Sequence, residues 1–296
     1  MENFFQWGLE LITIVQQTDM PILEYFFKLV TMLGDEMFYL VLFPFLLWCI
    51  DFNFGLQLGV IFLFSVYVNA GIKNLFQLPR PFEILPDVQK INASGFGFPS
   101  GHAQSSLVIW GSIALWKKQS LIHVFCIILI FLIGFSRIYL GVHFPMDVLG
   151  GWFFGIIILM LGYLVSFKKR MNIFSNTLIL KLLLISLVSA ILLIFQSTLD
   201  MISSVAALAG VGYGLVFFQH SMSGLIPGNW IQRIISFFIG MIGIAILYFG
   251  LKILLPGEGH SFNQGGRFLR YLLLGTWISF GAPRLFIQIG LARQAK

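Results

Sequence analysis

SLIHVFCIILIFLIGFSRIYLGVHFPMDVLGGWFFGIIILMLGYLVSF, residues Ser120 to Phe167, holds two apolar runs around one polar insert. Neither Ser120–Phe135 nor Val148–Phe167 contains an Asp, Glu, Lys or Arg. Each approaches the roughly 20 apolar residues needed to cross the hydrocarbon core of a bilayer. In lipid, such runs satisfy their backbone polar groups internally by forming helices. The insert Ser136–Asp147 joins the two runs, so Arg137, His143 and Asp147 are expected at one end of a helical hairpin.

The rest of the chain follows the same pattern. Of its 296 residues 58% are hydrophobic and 10% charged, 33 are Phe, and the mean hydropathy is +0.92. These values exclude a soluble globular domain and indicate an integral membrane protein. Further spans are expected at Met37–Ile50, Gly55–Ile72, His102–Trp116, Leu178–Phe195, Thr198–Phe218, Ile231–Leu255 and Phe268–Leu291. The predicted fold is all-α: a polytopic transmembrane helical bundle of about nine spans. The first 36 residues combine helical spacing with interrupting charges, which suits interfacial amphipathic helices or a shortened, tilted first span. By content the chain divides into residues 1–36, a core over residues 37–170 that carries the polar clusters, and additional C-terminal transmembrane helices over residues 171–296.

Cys49 and Cys126 each lie inside an apolar run, so a disulfide framework has no support. The net charge of +6 comes from residues placed singly or in small clusters at helix ends, which argues against nucleic acid as a partner. Lys117-Lys118 and Lys168-Lys169-Arg170 fall on one side if the spans alternate, and the positive-inside rule makes that side the cytoplasm. The loops Lys73–Ser100, Ser136–Asp147 and Pro256–Arg267 then face outward. Lys73, Arg80 and Arg137 break the charge rule on that outer face, which marks them as candidates for function.

Three polar clusters converge there. In KNLFQLPRP, Lys73 and Arg80 stand at the end of the second span and the start of a loop stiffened by Pro79 and Pro81. On its own this is also how interfacial anchors look. In PSGH, Ser100, Gly101 and His102 precede the third span, where unpaired helical N–H groups favour an anion such as phosphate, or where an ordinary cap would sit. In SRIYLGVHFPMD, a histidine followed four residues later by an aspartate can place His143 and Asp147 on one helical face. The carboxylate then orients the imidazole and frees its second nitrogen to attack, although Pro145 interrupts a regular helix. Together the clusters match phosphoryl transfer, in which positioning and charge stabilisation dominate.

In this order, KNLFQLPRP, PSGH and SRIYLGVHFPMD resemble in full the three-part signature of the type 2 phosphatidic acid phosphatase superfamily. That superfamily includes lipid phosphate phosphatases, undecaprenyl pyrophosphatases, glucose-6-phosphatase and vanadium haloperoxidases. The resemblance covers Lys73 to Asp147 and implies a six-helix-type phosphatase core. It implies that His143 attacks phosphorus and forms a phosphohistidine, that Asp147 holds the ring, and that His102 protonates the leaving oxygen and then activates water. Lys73, Arg80 and Arg137, with Ser100 and Gly101, would bind the phosphate oxygens. No cofactor or metal is expected, since the carboxylates are too scattered for a two-metal site.

The expected substrate is a membrane lipid phosphate or pyrophosphate. The alternatives are a soluble ester, as in glucose-6-phosphatase, and a transporter or scaffold that has lost activity. The latter is disfavoured because every catalytic position carries a competent residue. The expected location is a bacterial inner membrane with a periplasmic site, or the endoplasmic reticulum with a lumenal one. Gly257–Arg267, with His260 and Arg267, reads either as a cover over the site or as a turn-rich connection.

Overall fold

The computed structural model describes residues 2–18, 20–168, 177–195, 198–222, 224–255 and 262–294. Helices α1 (Glu2–Gln16) and α2 (Pro21–Met32) lead to α3 (Glu36–Phe45), which runs on through a π turn at Leu46–Ile50. There follow α4 (Phe52–Phe76), the short α5 (Pro81–Ile84), α6 (Gly101–Lys117), α7 (Ser120–Tyr139), α8 (Pro145–Lys168), α9 (Leu178–Phe195) and α10 (Leu199–Ser221). Strand β1 (Leu225–Pro227) precedes α11 (Trp230–Ala245), which continues through a π turn into α12 (Leu251–Leu254). Helix α13 (Asn263–Thr276) passes through a third π turn into α14 (Ala282–Gln288), and β2 (Ala292–Gln294) pairs antiparallel with β1. That three-residue ribbon is an addition to an otherwise helical architecture.

Among the described residues six helices are long and apolar enough to cross a membrane, or seven if α2 and α3, bent by 52°, form one broken span. Six of the nine expected spans coincide with these helices. The other three are helical but fall short. Met37–Ile50 belongs to the bent pair, and α6 is only 17 residues long. The 268–291 stretch is divided by the π turn into helices of 14 and 7 residues, the first carrying Arg267 and Arg270. The basic residues Lys169 and Arg170, and the loop positions Gly257 and His260, lie outside the described residues.

The chain packs into two compact units. One comprises Met1–Tyr39 and Val68–Phe167, the other Leu40–Tyr67 and Lys168–Lys296. In the first, α1 and α2 are built into the core. Ile12 is fully buried with Val88, Ile138, Phe144 and Val148, while Phe27 packs on Tyr139, Leu140 and Val142. The Gln16 amide donates to the carbonyls of Val88 and Tyr139, at 2.9 and 2.7 Å, tying α1 to the end of α7. In the second unit Leu47, Trp48 and Phe52 pack with Phe218, Ile244, Leu274 and Phe286. Trp48 also donates its indole N–H to the Ile278 carbonyl at 3.2 Å.

The end of the first unit that gathers the motifs is set by helix direction. Lys73 closes α4, Arg137 closes α7, Gly101 opens α6 and Asp147 lies in the first turn of α8. Lys117 is at the far end of α6. Helix α8 can approach the start of α6 because Gly151 has no side chain: a Cβ there would stand 2.5 Å from the Ser100 carbonyl oxygen and 3.0 Å from Ala103 Cβ.

Candidate active site

The geometry begins at the end of α7. Gly141, with φ +69, reverses the chain, and the N–H groups of Val142 and His143 both return to the Arg137 carbonyl, each at 3.2 Å. This keeps His143 beside Arg137 in space as well as in sequence. Pro145 then opens α8, as suits a residue with fixed φ and no N–H to satisfy. His143 therefore lies just before the helix and Asp147 in its first turn. The pair meets through a helix cap rather than on one face of a regular helix. Asp147 Oδ2 accepts from the Phe144 N–H at 2.9 Å and lies 3.2 Å from His143 Nδ1.

With the Nδ1 proton directed at Asp147, His143 Nε2 carries the free lone pair, and Arg80 Nη1 stands 3.2 Å from it. Burial holds the His143 imidazole well below its ordinary value of 6.5, and the nearby Arg80, Lys73, Arg137 and His102 push it in the same direction. The ring is thus neutral at pH 7, the form that can attack.

Arg80 is itself buried. Its Nε donates to Gly95 O at 2.7 Å, Nη1 to Val142 O at 2.8 Å and Nη2 to Ser94 O at 2.8 Å. Lys73 donates to the Phe96 carbonyl and, at 3.3 Å, to that of Gly97. These bonds fold the 94–97 segment over the ends of α4 and α5. Arg137 is also buried; its Nη1 donates to Thr31 Oγ1, and its Nε has no partner among the described residues. The Ser100 side chain caps α6 by accepting from the Ala103 N–H at 3.5 Å, and the Ser100 N–H donates to Asp147 O at 2.8 Å. Gly101 faces Asn69, whose Oδ1 would lie 3.3 Å from a Cβ at that position. His102, in the first turn of α6, places Nε2 2.9 Å from Asp35 Oδ1.

All eight residues singled out from the sequence, Lys73, Arg80, Ser100, Gly101, His102, Arg137, His143 and Asp147, thus belong to the first unit and lie at its motif-bearing end. Four others were not singled out. Asn69, buried within α4, donates to Gln104 Oε1 at 2.8 Å and to Pro99 O at 3.4 Å, pinning the approach to α6. A lone Asn in an apolar run was the available signal. Thr31, Gly34 and Asp35 come from the turn between α2 and α3, where the only hint was a Gly-Asp-Glu break between amphipathic stretches. Arg267, placed with a possible cover in the sequence, donates from α13 to Ser203 Oγ on α10 at 2.6 Å and lies 3.6 Å from Asp200.

Three cations and a second histidine around an oriented imidazole, held by three motifs in fixed order, define a class rather than one protein. A family model described as the PAP2 superfamily matches residues 54–171, and one described as "PAP2 superfamily phosphatase, transmembrane extension" matches residues 202–294. The chain belongs to the PAP2 superfamily and is an integral membrane protein. Among curated relatives, sphingosine-1-phosphate phosphatase 1 of Mus musculus is 32% identical over 221 residues, covering 70% of this chain and 50% of that protein. Phosphatidylglycerophosphatase B of Bacillus subtilis is 32% identical over 116 residues, 36% of this chain and 55% of that one. The crystal structure of Aquifex aeolicus LpxE is similar at 30% identity and a TM-score of 0.47, over 52% of this chain and 93% of that one. The chain spans about half the length of the curated relatives it matches first.

Proposed function

We propose that the protein is a membrane phosphatase that hydrolyses a lipid phosphate or pyrophosphate through a phosphohistidine on His143, without a metal. The observation that carries this is the placement of the His143 ring, with Nδ1 3.2 Å from Asp147 Oδ2 and Nε2 3.2 Å from Arg80 Nη1, which favours the tautomer that leaves Nε2 free to attack. A phosphoryl group placed at Nε2 has Arg80, Lys73, Arg137 and the start of α6 available for its oxygens. In the first step Nε2 bonds to phosphorus as the bond to the leaving oxygen breaks, and His102 gives that oxygen a proton. In the second step His102 takes a proton from water, the water oxygen bonds to phosphorus, and the P–N bond breaks to release inorganic phosphate. Charge stabilisation by groups already in place lowers the barrier in both steps.

A lipid substrate is favoured because relatives in animals and bacteria are named for sphingosine-1-phosphate and phosphatidylglycerophosphate. The helix-end position of the site also suits a headgroup whose tail stays in the bilayer. The face bearing the site, opposite Lys117, is assigned to the periplasm of a bacterial inner membrane, or to the lumen of the endoplasmic reticulum. The test is phosphate release by purified protein in EDTA, with sphingosine phosphate, phosphatidylglycerophosphate, phosphatidic acid, undecaprenyl pyrophosphate and glucose-6-phosphate as substrates. Turnover of at least one lipid, lost in His143→Ala and inhibited by vanadate, is the expected result. Turnover only with added metal, or full activity in His143→Ala, would refute the mechanism; exclusive use of glucose-6-phosphate would replace the lipid with a soluble ester.

A further inference from the structure

The three motifs leave one wall of the site unassigned, and the turn between α2 and α3 supplies it. Thr31, in the last turn of α2, accepts from Arg137. Gly34 leaves room for the His102 ring: a Cβ there would lie 2.9 Å from His102 Cγ and closer still to Cδ2. Asp35, next in sequence and just before α3, brings Oδ1 to 2.9 Å from His102 Nε2. In a sequence such a carboxylate reads as an N-cap. Here it pairs with an imidazole 67 residues away.

We propose that Asp35 is the positioning residue for His102, serving the acid–base histidine as Asp147 serves the nucleophile. The inference rests on the phosphatase function proposed above. His102 stands in a site crowded with cations, and Arg137 and Arg80 both act on it electrostatically. A histidine that must donate a proton there needs a negative partner, and Asp35 is the carboxylate hydrogen-bonded to it. By accepting the Nε2 proton, Asp35 fixes the ring orientation and leaves Nδ1 to exchange protons. In the doubly protonated ring, Nε2–H stays on Asp35 while Nδ1 gives its proton to the leaving oxygen as the P–O bond breaks; the ring, now neutral, takes a proton from water at Nδ1 in the second step. Asp35 touches neither phosphorus nor the leaving group, so its effect passes through His102. The ring is held on one side by the Gly34 backbone and at its tip by the carboxylate, so α2 and α3 set the geometry of proton transfer although they carry none of the three motifs.

The test separates leaving groups. The full-length protein is assayed on a long-chain alkyl phosphate, whose alkoxide leaves poorly without a proton, and on p-nitrophenyl phosphate, whose phenolate leaves unaided. The quantity compared is kcat/KM, which reports only steps up to departure of the leaving group. Asp35→Asn is expected to lower kcat/KM for the alkyl phosphate about 100-fold, the scale of a general-acid contribution, and for p-nitrophenyl phosphate less than about fivefold. Asp35→Glu should recover part of the loss, and Asp35→Asn in a His102→Ala background should add little, since residues acting as a unit are non-additive. Vanadate inhibition of Asp35→Asn should match wild type, showing an intact phosphate site. Equal loss on both substrates, or an unchanged rate on the alkyl phosphate, would overturn the proposal. Failure of the phosphohistidine mechanism itself would show differently, as activity on both substrates surviving in His143→Ala.

Discussion

Arg80 and Arg137 are both buried arginines of the site, but the structure uses them differently. Arg80 commits its fork to three backbone carbonyls: Gly95 from Nε, Val142 from Nη1 and Ser94 from Nη2. Arg137 donates to a single side chain, Thr31 Oγ1, and leaves Nε without a partner among the described residues. The replacement Arg80→Lys keeps the charge but supplies one nitrogen where the fork has three, so it cannot span all three carbonyls and gives up one or two of them. Charge-assisted hydrogen bonds contribute about 1.5–3 kcal/mol each when buried. Ser94 and Gly95 are exposed, so water partly replaces the donor at their carbonyls, and the lower end of that range applies. Losing one or two bonds at about 1.5 kcal/mol each therefore costs about 1.5–3 kcal/mol, whereas Arg137→Lys, which risks one bond to a hydroxyl, costs about 1 kcal/mol or less. At ~2–4 °C per kcal/mol for units of this size, Arg80→Lys should melt about 3–12 °C below wild type. Tryptophan fluorescence of the two variants and wild type in the same detergent measures the difference, with phosphate release followed in parallel. Both variants should lose activity, but Arg80→Lys should also lose stability. An Arg80→Lys protein that melts no lower than Arg137→Lys would show that the guanidinium does not hold the 94–97 segment, and the division of labour between the two arginines would fall.

Two further outcomes are expected. A Cβ on Gly210 would stand 2.9 Å from the carbonyl carbon of Leu272 and 3.0 Å from the Thr276 nitrogen, both main-chain atoms of α13. Gly210→Ala should therefore destabilise the second unit by about 1–3 kcal/mol in detergent unfolding, while Gly250→Ala, which meets nothing within 4 Å, should be neutral or gain up to ~1 kcal/mol; equal effects would deny the close approach of α10 and α13. The His143 imidazole titrates lower in the folded chain than in the unfolded one, so the unfolded state takes up the proton first as pH falls. The stability that His143 contributes is present above about pH 6.5 and shrinks below it, by on the order of 1 kcal/mol between pH 7.5 and 5.5. Melting curves at these two values should show the drop in wild type and a smaller one in His143→Gln; identical slopes would remove His143 as the cause.

Much of this protein is legible along the chain. Uncharged runs such as Leu178–Phe195 become helices because lipid leaves the backbone no other partner, and α9 spans those same residues. Lys73, Arg80, His102, Arg137, His143 and Asp147 could be picked out because each is costly in an apolar chain and each lies within a short motif. The number of spans was less legible. The 268–291 run is apolar enough to suggest a crossing, but the π turn at Trp277–Gly281 divides it. The His143–Asp147 spacing suggested a helical face, whereas the Gly141 reversal and Pro145 make it a cap.

The sequence by itself determined the helical membrane architecture and which polar residues stand out in motifs, because apolar runs and short polar motifs are local properties. Tertiary structure decided which distant segments meet them. Asp35 reaches His102, Thr31 reaches Arg137 across 106 positions, and Leu47, Trp48 and Phe52 join the C-terminal helices in their own unit. The physical reason is that helices apolar on nearly every face carry little sequence record of which face is covered. The partner of each face is settled by close packing and by the few buried polar groups that must find one another.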